Sequence, residues 1–150
     1  MKLMKKIGIL LLPLLMAVPA AFAQKDLSSW AVFHGDVVPG KQMVKTEARG
    51  GGITAYRLDY YLGVSFLADE PVVRMVAQRV ETDAGAGSSS ETETVNGLLT
   101  YALVQPKSAG KTNRYLCYQA RSVGGKWKVT LLYLEGAATL EGLRSMFDKQ

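Results

Sequence analysis

Between Tyr56 and Phe66 the chain reads YRLDYYLGVSF, and its side chains sort into two sets with a period of two. Tyr56, Leu58, Tyr60, Leu62, Val64 and Phe66 fall on one side of an extended segment, and Arg57, Asp59, Tyr61, Gly63 and Ser65 on the other. A period of two is a strand with one buried face. A helix would scatter the first set around its circumference, so the chain has to be built around a sheet. The run is long for one strand, and Gly63 is the expected place for a bend or bulge.

The remaining elements are read outward from this strand. Asp69-Glu70-Pro71 starts a helix, with Asp69 as N-cap and proline in the first turn. At 100° per residue, Val72, Val73, Val76, Ala77, Val80 and Ala84 share one arc, and Arg74, Gln78 and Glu81 lie outside it, so this helix covers a sheet. The polar stretch Ala84 to Thr94 is expected to be a mobile surface loop. Three strands follow, Gly97 to Gln105, Asn113 to Arg121 and Trp127 to Leu134, joined by connectors short enough for an antiparallel meander. Thr139 caps a last helix with Leu140, Leu143 and Phe147 on one face. Upstream, a strand is expected over Lys41 to Ala48, broken by Arg49-Gly50-Gly51-Gly52, and a short helical turn over Leu27 to Phe33 with Ser28 or Asp26 as cap. The sum is an α+β fold: a mostly antiparallel sheet of four to five strands with two main helices packed on one face.

At the N-terminus Lys2, Lys5 and Lys6 precede the apolar run Ile7 to Val18, and Ala21-Phe22-Ala23 supplies small residues ahead of Gln24. The run is too short to span a bilayer and has the layout of a secretory leader. Residues 1–23 therefore read as a signal peptide cut between Ala23 and Gln24, and residues 24–150 as a single α+β domain, periplasmic or secreted. Gln24 offers no thiol for acylation, so no stable membrane anchor is expected after cleavage. The formal net charge of +5 includes the three lysines of the leader, leaving +2 spread without a run. That is not the footprint of a nucleic-acid binder. Cys117 is the one cysteine, so packing rather than a disulfide has to hold the fold.

Three places carry a likeness to a known group: VFHGDVVPGKQMVK with YRLDYYLGVSF, NGLLTYALVQ with NRYLCYQAR, and VTLLYLEGAATLEGLRSMF. Together they resemble small exported proteins of gut-type Gram-negative bacteria that are catalogued as a domain of unknown function. The resemblance implies export and this fold, and it carries over no activity and no functional residue.

No catalytic or metal-binding signature is present. A Cys-His pair would need Cys117 beside His34, and nothing in the sequence joins an early loop to a mid-chain strand. Zinc wants several imidazole or thiolate ligands and the chain has one of each. Glu91 and Glu93 do not match a calcium loop, and Arg49 to Gly52 lacks the lysine and hydroxyl of a phosphate cradle. No cofactor is expected. What stands out is aromatic excess on the strands: Tyr60, Tyr61, Tyr101, Tyr115, Tyr118, Trp127 and Tyr133. Tyr60 and Tyr61 point to opposite faces, so one of them leaves the helix-covered side, alongside Arg57 and Asp59. The expectation is a non-enzymatic binding module of the cell envelope that meets an envelope protein or glycan through the uncovered sheet face, with Arg57, Asp59, Tyr61 and Arg121 as contacts. One alternative is a carboxylate-based hydrolase acting on envelope or dietary glycans, for instance through Asp59 with Glu135. The other is a structural subunit assembling through sheet edges.

Overall fold

The computed structural model describes residues 25–148 apart from 109 and 111, with side chains described as far as 145. The expected leader and its expected cut site lie outside the described residues, as does the side chain of Phe147. Six strands form one antiparallel sheet: β1 (Val44–Arg49), β2 (Leu58–Ala68), β3 (Ser89–Val95), β4 (Leu98–Gln105), β5 (Asn113–Val123) and β6 (Lys126–Gly136). Their order across the sheet is β1-β2-β6-β5-β4-β3. Strands β3 to β6 are a meander, and β2 docks on its last strand. The helices are α1 (Trp30–Phe33), α2 (Glu70–Ala86) and α3 (Leu140–Asp148).

The two main helices lie on opposite faces, not on one. Val73, Val76, Ala77 and Val80 of α2, with Val32 and Phe33 of α1, are buried with Leu62, Val64, Phe66, Leu116, Tyr118 and Leu131 on the first face. Leu143 of α3 and Ile53 from the β1–β2 connection are buried with Tyr61, Tyr115, Cys117, Leu132 and Leu134 on the second. Leu116 and Cys117 are neighbours on β5, and period two sends them to different clusters. The central strands are apolar on both sides, so each face needs its own cover. Thr139 caps α3 as its sequence suggests, its hydroxyl accepting from the Gly142 N–H at 3.0 Å.

The irregularity in β2 sits at Asp59, four residues before Gly63. Leu58 pairs with Gly136 and Tyr60 with Glu135, leaving Asp59 as the extra residue of a bulge. The bulge changes which face the chain feeds: Leu58 joins the second-face cluster while Tyr60 joins the first. Gly136 is what makes room for it. A Cβ there would lie 2.6 Å from the Leu58 Cα and overlap the Arg57 carbonyl oxygen. Gly63, by contrast, keeps normal pairing with Thr46 and Leu132.

The polar stretch after α2 is not a loop. Residues Ser89–Val95 form β3, an edge strand exposed on both faces, so no apolar alternation marks it. Its register is set by β4 through Asn96-Gly97, whose φ values of 51° and 80° suit a two-residue hairpin of the I′ type. Gly124-Gly125, at 56° and 85°, turns β5 into β6 in the same manner. Upstream, Gly40–Gln42 is a 3-10 turn and β1 starts only at Val44.

Asp26 and Ser28 do not cap α1. The carboxylate of Asp83, buried near the end of α2, accepts the backbone N–H groups of Ser28 at 2.6 Å and Ser29 at 2.9 Å. It does from a distance what a capping side chain does locally. Asp26 pairs with Arg114, 2.7 Å away, which ties the start of the described chain to β5.

Candidate functional site

The second face is covered over only half its area. Ile53, Leu140 and Leu143 lie over Tyr115 and Leu134, and beyond them the sheet is open. In the open half the register aligns Val44, Ser65, Thr130 and Gln119 in one row across four strands. Thr46, Gly63 and Leu132 form the row on one side of it, and Arg121 opposite Lys128 the row on the other. These residues and Tyr61 line a groove of about 260 Å³. Val44 at its edge is 69% exposed, and Leu67, on the same face next to Lys128, is 59% exposed.

Tyr61 forms one wall. It is only 2% exposed, so it belongs to the core as well as to the groove. Its ring leans along β2 over Gly63: a Cβ on Gly63 would lie 2.9 Å from the Tyr61 hydroxyl and 3.0 Å from Leu132. The missing side chain at Gly63 is therefore the seat of the ring, an aromatic covering a glycine in its own strand. Burial, and secondarily the Cys117 thiol, push the phenol pKa up, so it remains a protonated donor around neutrality. Among the described residues it has no hydrogen-bond partner.

The charge in the groove is one-sided. Arg121 and Lys128 are exposed and directly opposite each other on β5 and β6, an arrangement that costs energy unless something offsets it. Among the described residues no carboxylate lines the groove. Among the described residues neither cation is in an ion pair, whereas neighbouring Lys126 is held by Asp69 at 3.1 Å.

Of the four contacts expected from the sequence, the groove brings together Tyr61 and Arg121. Arg57 and Asp59 are exposed and stand elsewhere. Arg57 precedes β2 with a left-handed backbone, φ 61°, and Asp59 is the bulge residue. The alternation through Tyr56–Asp59 does not continue the strand's own pattern, because the bulge breaks it. The idea of a helix-free face holding an exposed Tyr61 is thus corrected: part of that face is covered, and Tyr61 is under it.

The catalytic alternatives gain nothing from the geometry. Cys117 is buried on the second face, its thiol pushed up to about 12 by burial, while His34 ends α1 on the first side and its ring faces Asp36 at 3.2 Å in the open. Glu135 accepts the Tyr133 hydroxyl at 2.5 Å and is not joined to Asp59. Among the described residues no group of three His, Cys, Asp or Glu side chains converges as metal ligands would.

Glu135 belongs to a network at one end of the first face that periodicity does not reveal. Arg114, nearly buried, donates to the Tyr133 hydroxyl at 2.9 Å, to Asp26 and to the Lys107 carbonyl. Tyr60 donates to Glu47 at 2.5 Å, beneath the Arg49 guanidinium 4.5 Å from its ring. Tyr60 and Tyr133 meet edge to face at 6.2 Å. Burial and Glu135 push the Tyr133 phenol up against the opposing pull of Arg114. The network braces β1, β2, β5 and β6, with the buried Arg49 Nε left without a hydrogen-bond partner among the described residues. The sequence sign is the placement of Glu47, Arg49, Arg114 and Glu135 at matching strand ends.

Among the described residues no helix is long and apolar enough to cross a membrane. No curated protein and no solved structure matches the chain. One family does, over residues 16–147, and that span takes in all six strands and both main helices. The chain belongs to the family of unknown function DUF6108.

Proposed function

We propose that the protein is an exported, non-enzymatic binding module that receives an envelope ligand on the open half of the second sheet face. The observation that carries this reading is the groove itself: a preformed concavity of mixed lining, with hydroxyls and two cations among apolar side chains and, among the described residues, no acid, base or nucleophile set for chemistry. Rigid central strands hold its floor, and ligand sites on such elements need little ordering on binding. Export is supported by the basic, apolar and small-residue order of residues 1–23.

Filling the groove tests the reading. Thr130→Trp places an indole across it, and Met75→Lys alters the exposed side of α2 on the far face as a control. The purified mature protein should retain envelope glycans or proteins, with Thr130→Trp losing them and Met75→Lys keeping them. Equal retention by both variants rejects the groove. N-terminal sequencing of the exported form should begin at Gln24; a chain recovered with its leader intact rejects the export half.

A further inference from the structure

We infer that the occupant of the groove is an acidic saccharide, a uronic-acid unit whose carboxylate lies against Arg121 and Lys128 and whose ring hydroxyls meet Tyr61, Ser65 and Thr130. The inference rests on the groove being a binding surface and names what it binds. Three features converge on this class.

The first is charge. Two cations held directly opposite one another on adjacent strands repel, and no acid lining the groove compensates them. Charge complementarity assigns a ligand bearing a carboxylate or similar anion, which a guanidinium can grip with two parallel hydrogen bonds. The second is the hydroxyl content. Thr46, Tyr61, Ser65 and Thr130 give four hydroxyls on three adjacent strands, and the Tyr61 hydroxyl is a donor with no partner among the described residues. An inorganic anion would use the cations and leave these groups idle. A polyol ring uses both. The third is size. A groove of about 260 Å³ lying across the faces of β1, β2, β6 and β5 holds one ring rather than a long stretch of peptide.

Isothermal titration of the mature protein with trimers of galacturonate, glucuronate and mannuronate, against galactotriose, tests this. At least one uronate trimer should bind about tenfold more tightly than the neutral trimer, and its affinity should fall as salt rises. Arg121→Gln and Lys128→Gln should each weaken it about tenfold with circular dichroism unchanged. Tyr61→Phe keeps the ring over Gly63 and should weaken it several-fold.

Equal binding of galactotriose, abolished by Thr130→Trp, overturns the acidic part and leaves the groove standing. Binding of polyglutamate or inorganic phosphate as tight as any uronate, with the same dependence on Arg121, overturns the saccharide. Failure of all three uronate trimers also overturns the inference; the groove reading falls with it only if Thr130→Trp retains envelope ligands like the parent.

Discussion

The two faces of the sheet are sealed differently. The first is roofed by α2 over β3, β4 and β6 and by the α1 segment, is braced at one end by the Arg114–Tyr133–Glu135 network, and is closed by a segment that Asp83 and Arg114 hold from both sides. The second has a short helix and the turn at Ile53 over one half and, among the described residues, nothing over the other. Stability resides in what is covered, and the proposed recognition in what is left open. Tyr61 stands on the border, with its ring in the core and its hydroxyl in the groove.

The bulge at Asp59 lets one strand feed both faces, so Gly136 is the sharpest place to break the distinction. Gly136→Ala drives a methyl into the backbone of Arg57 and Leu58 and should cost about 4 kcal/mol or leave the chain unfolded, as urea denaturation would report. Tyr61→Ala comes next. A buried wall residue should cost about 3 kcal/mol, while a freely solvated tyrosine would cost almost nothing. Asp83→Ala, which strands two backbone N–H groups on the first side, should cost about 2 kcal/mol and speed hydrogen exchange at Ser28 and Ser29.

Alkali probes the covered part of the second face first, through Cys117, and the first face after it, through Tyr118 and Tyr133. The Cys117 thiol titrates near 9.0 when free and near 12 when folded. The native state therefore binds the proton more tightly, and stability is full below about pH 9 and is lost as pH rises through this window. At pH 10 the thiol alone should account for about 1 kcal/mol, absent in Cys117→Val, and the buried tyrosines, also raised, should deepen the loss further up. Smallest of all, Arg121→Gln on the open half should change stability by less than about 0.5 kcal/mol. A large effect there would mean the cation is structural.

Much of this was legible because period-two alternation is a direct imprint of burial. β2, β4, β5, β6 and the apolar stripe of α2 stand where their side chains require. β3 was missed because an edge strand buries little, and Asn96-Gly97 was its one clear mark. The opposite placement of the helices follows from Tyr115, Cys117, Leu132 and Leu134, which make the far side of β5 and β6 as apolar as the near side. The groove was half legible. Tyr61 and Arg121 share it, but Lys128, Thr130 and Ser65 meet them only through register, and register is a property of pairing rather than of any one segment. Arg57 and Asp59 were misplaced by a single inserted residue.

The strand order also governs when the molecule can close. Hairpins β3–β4, β4–β5 and β5–β6 assemble from neighbours, yet β2, made much earlier, has its inner seat only beside β6. A ribosome must therefore have released the chain through β6 before the centre of the sheet exists, since a two-stranded β1–β2 ribbon is marginal by itself. Until β6 arrives, the apolar side chains that β2 gives to both faces, Leu58 and Tyr61 on one and Leu62 and Phe66 on the other, have no inner strand to pack beside.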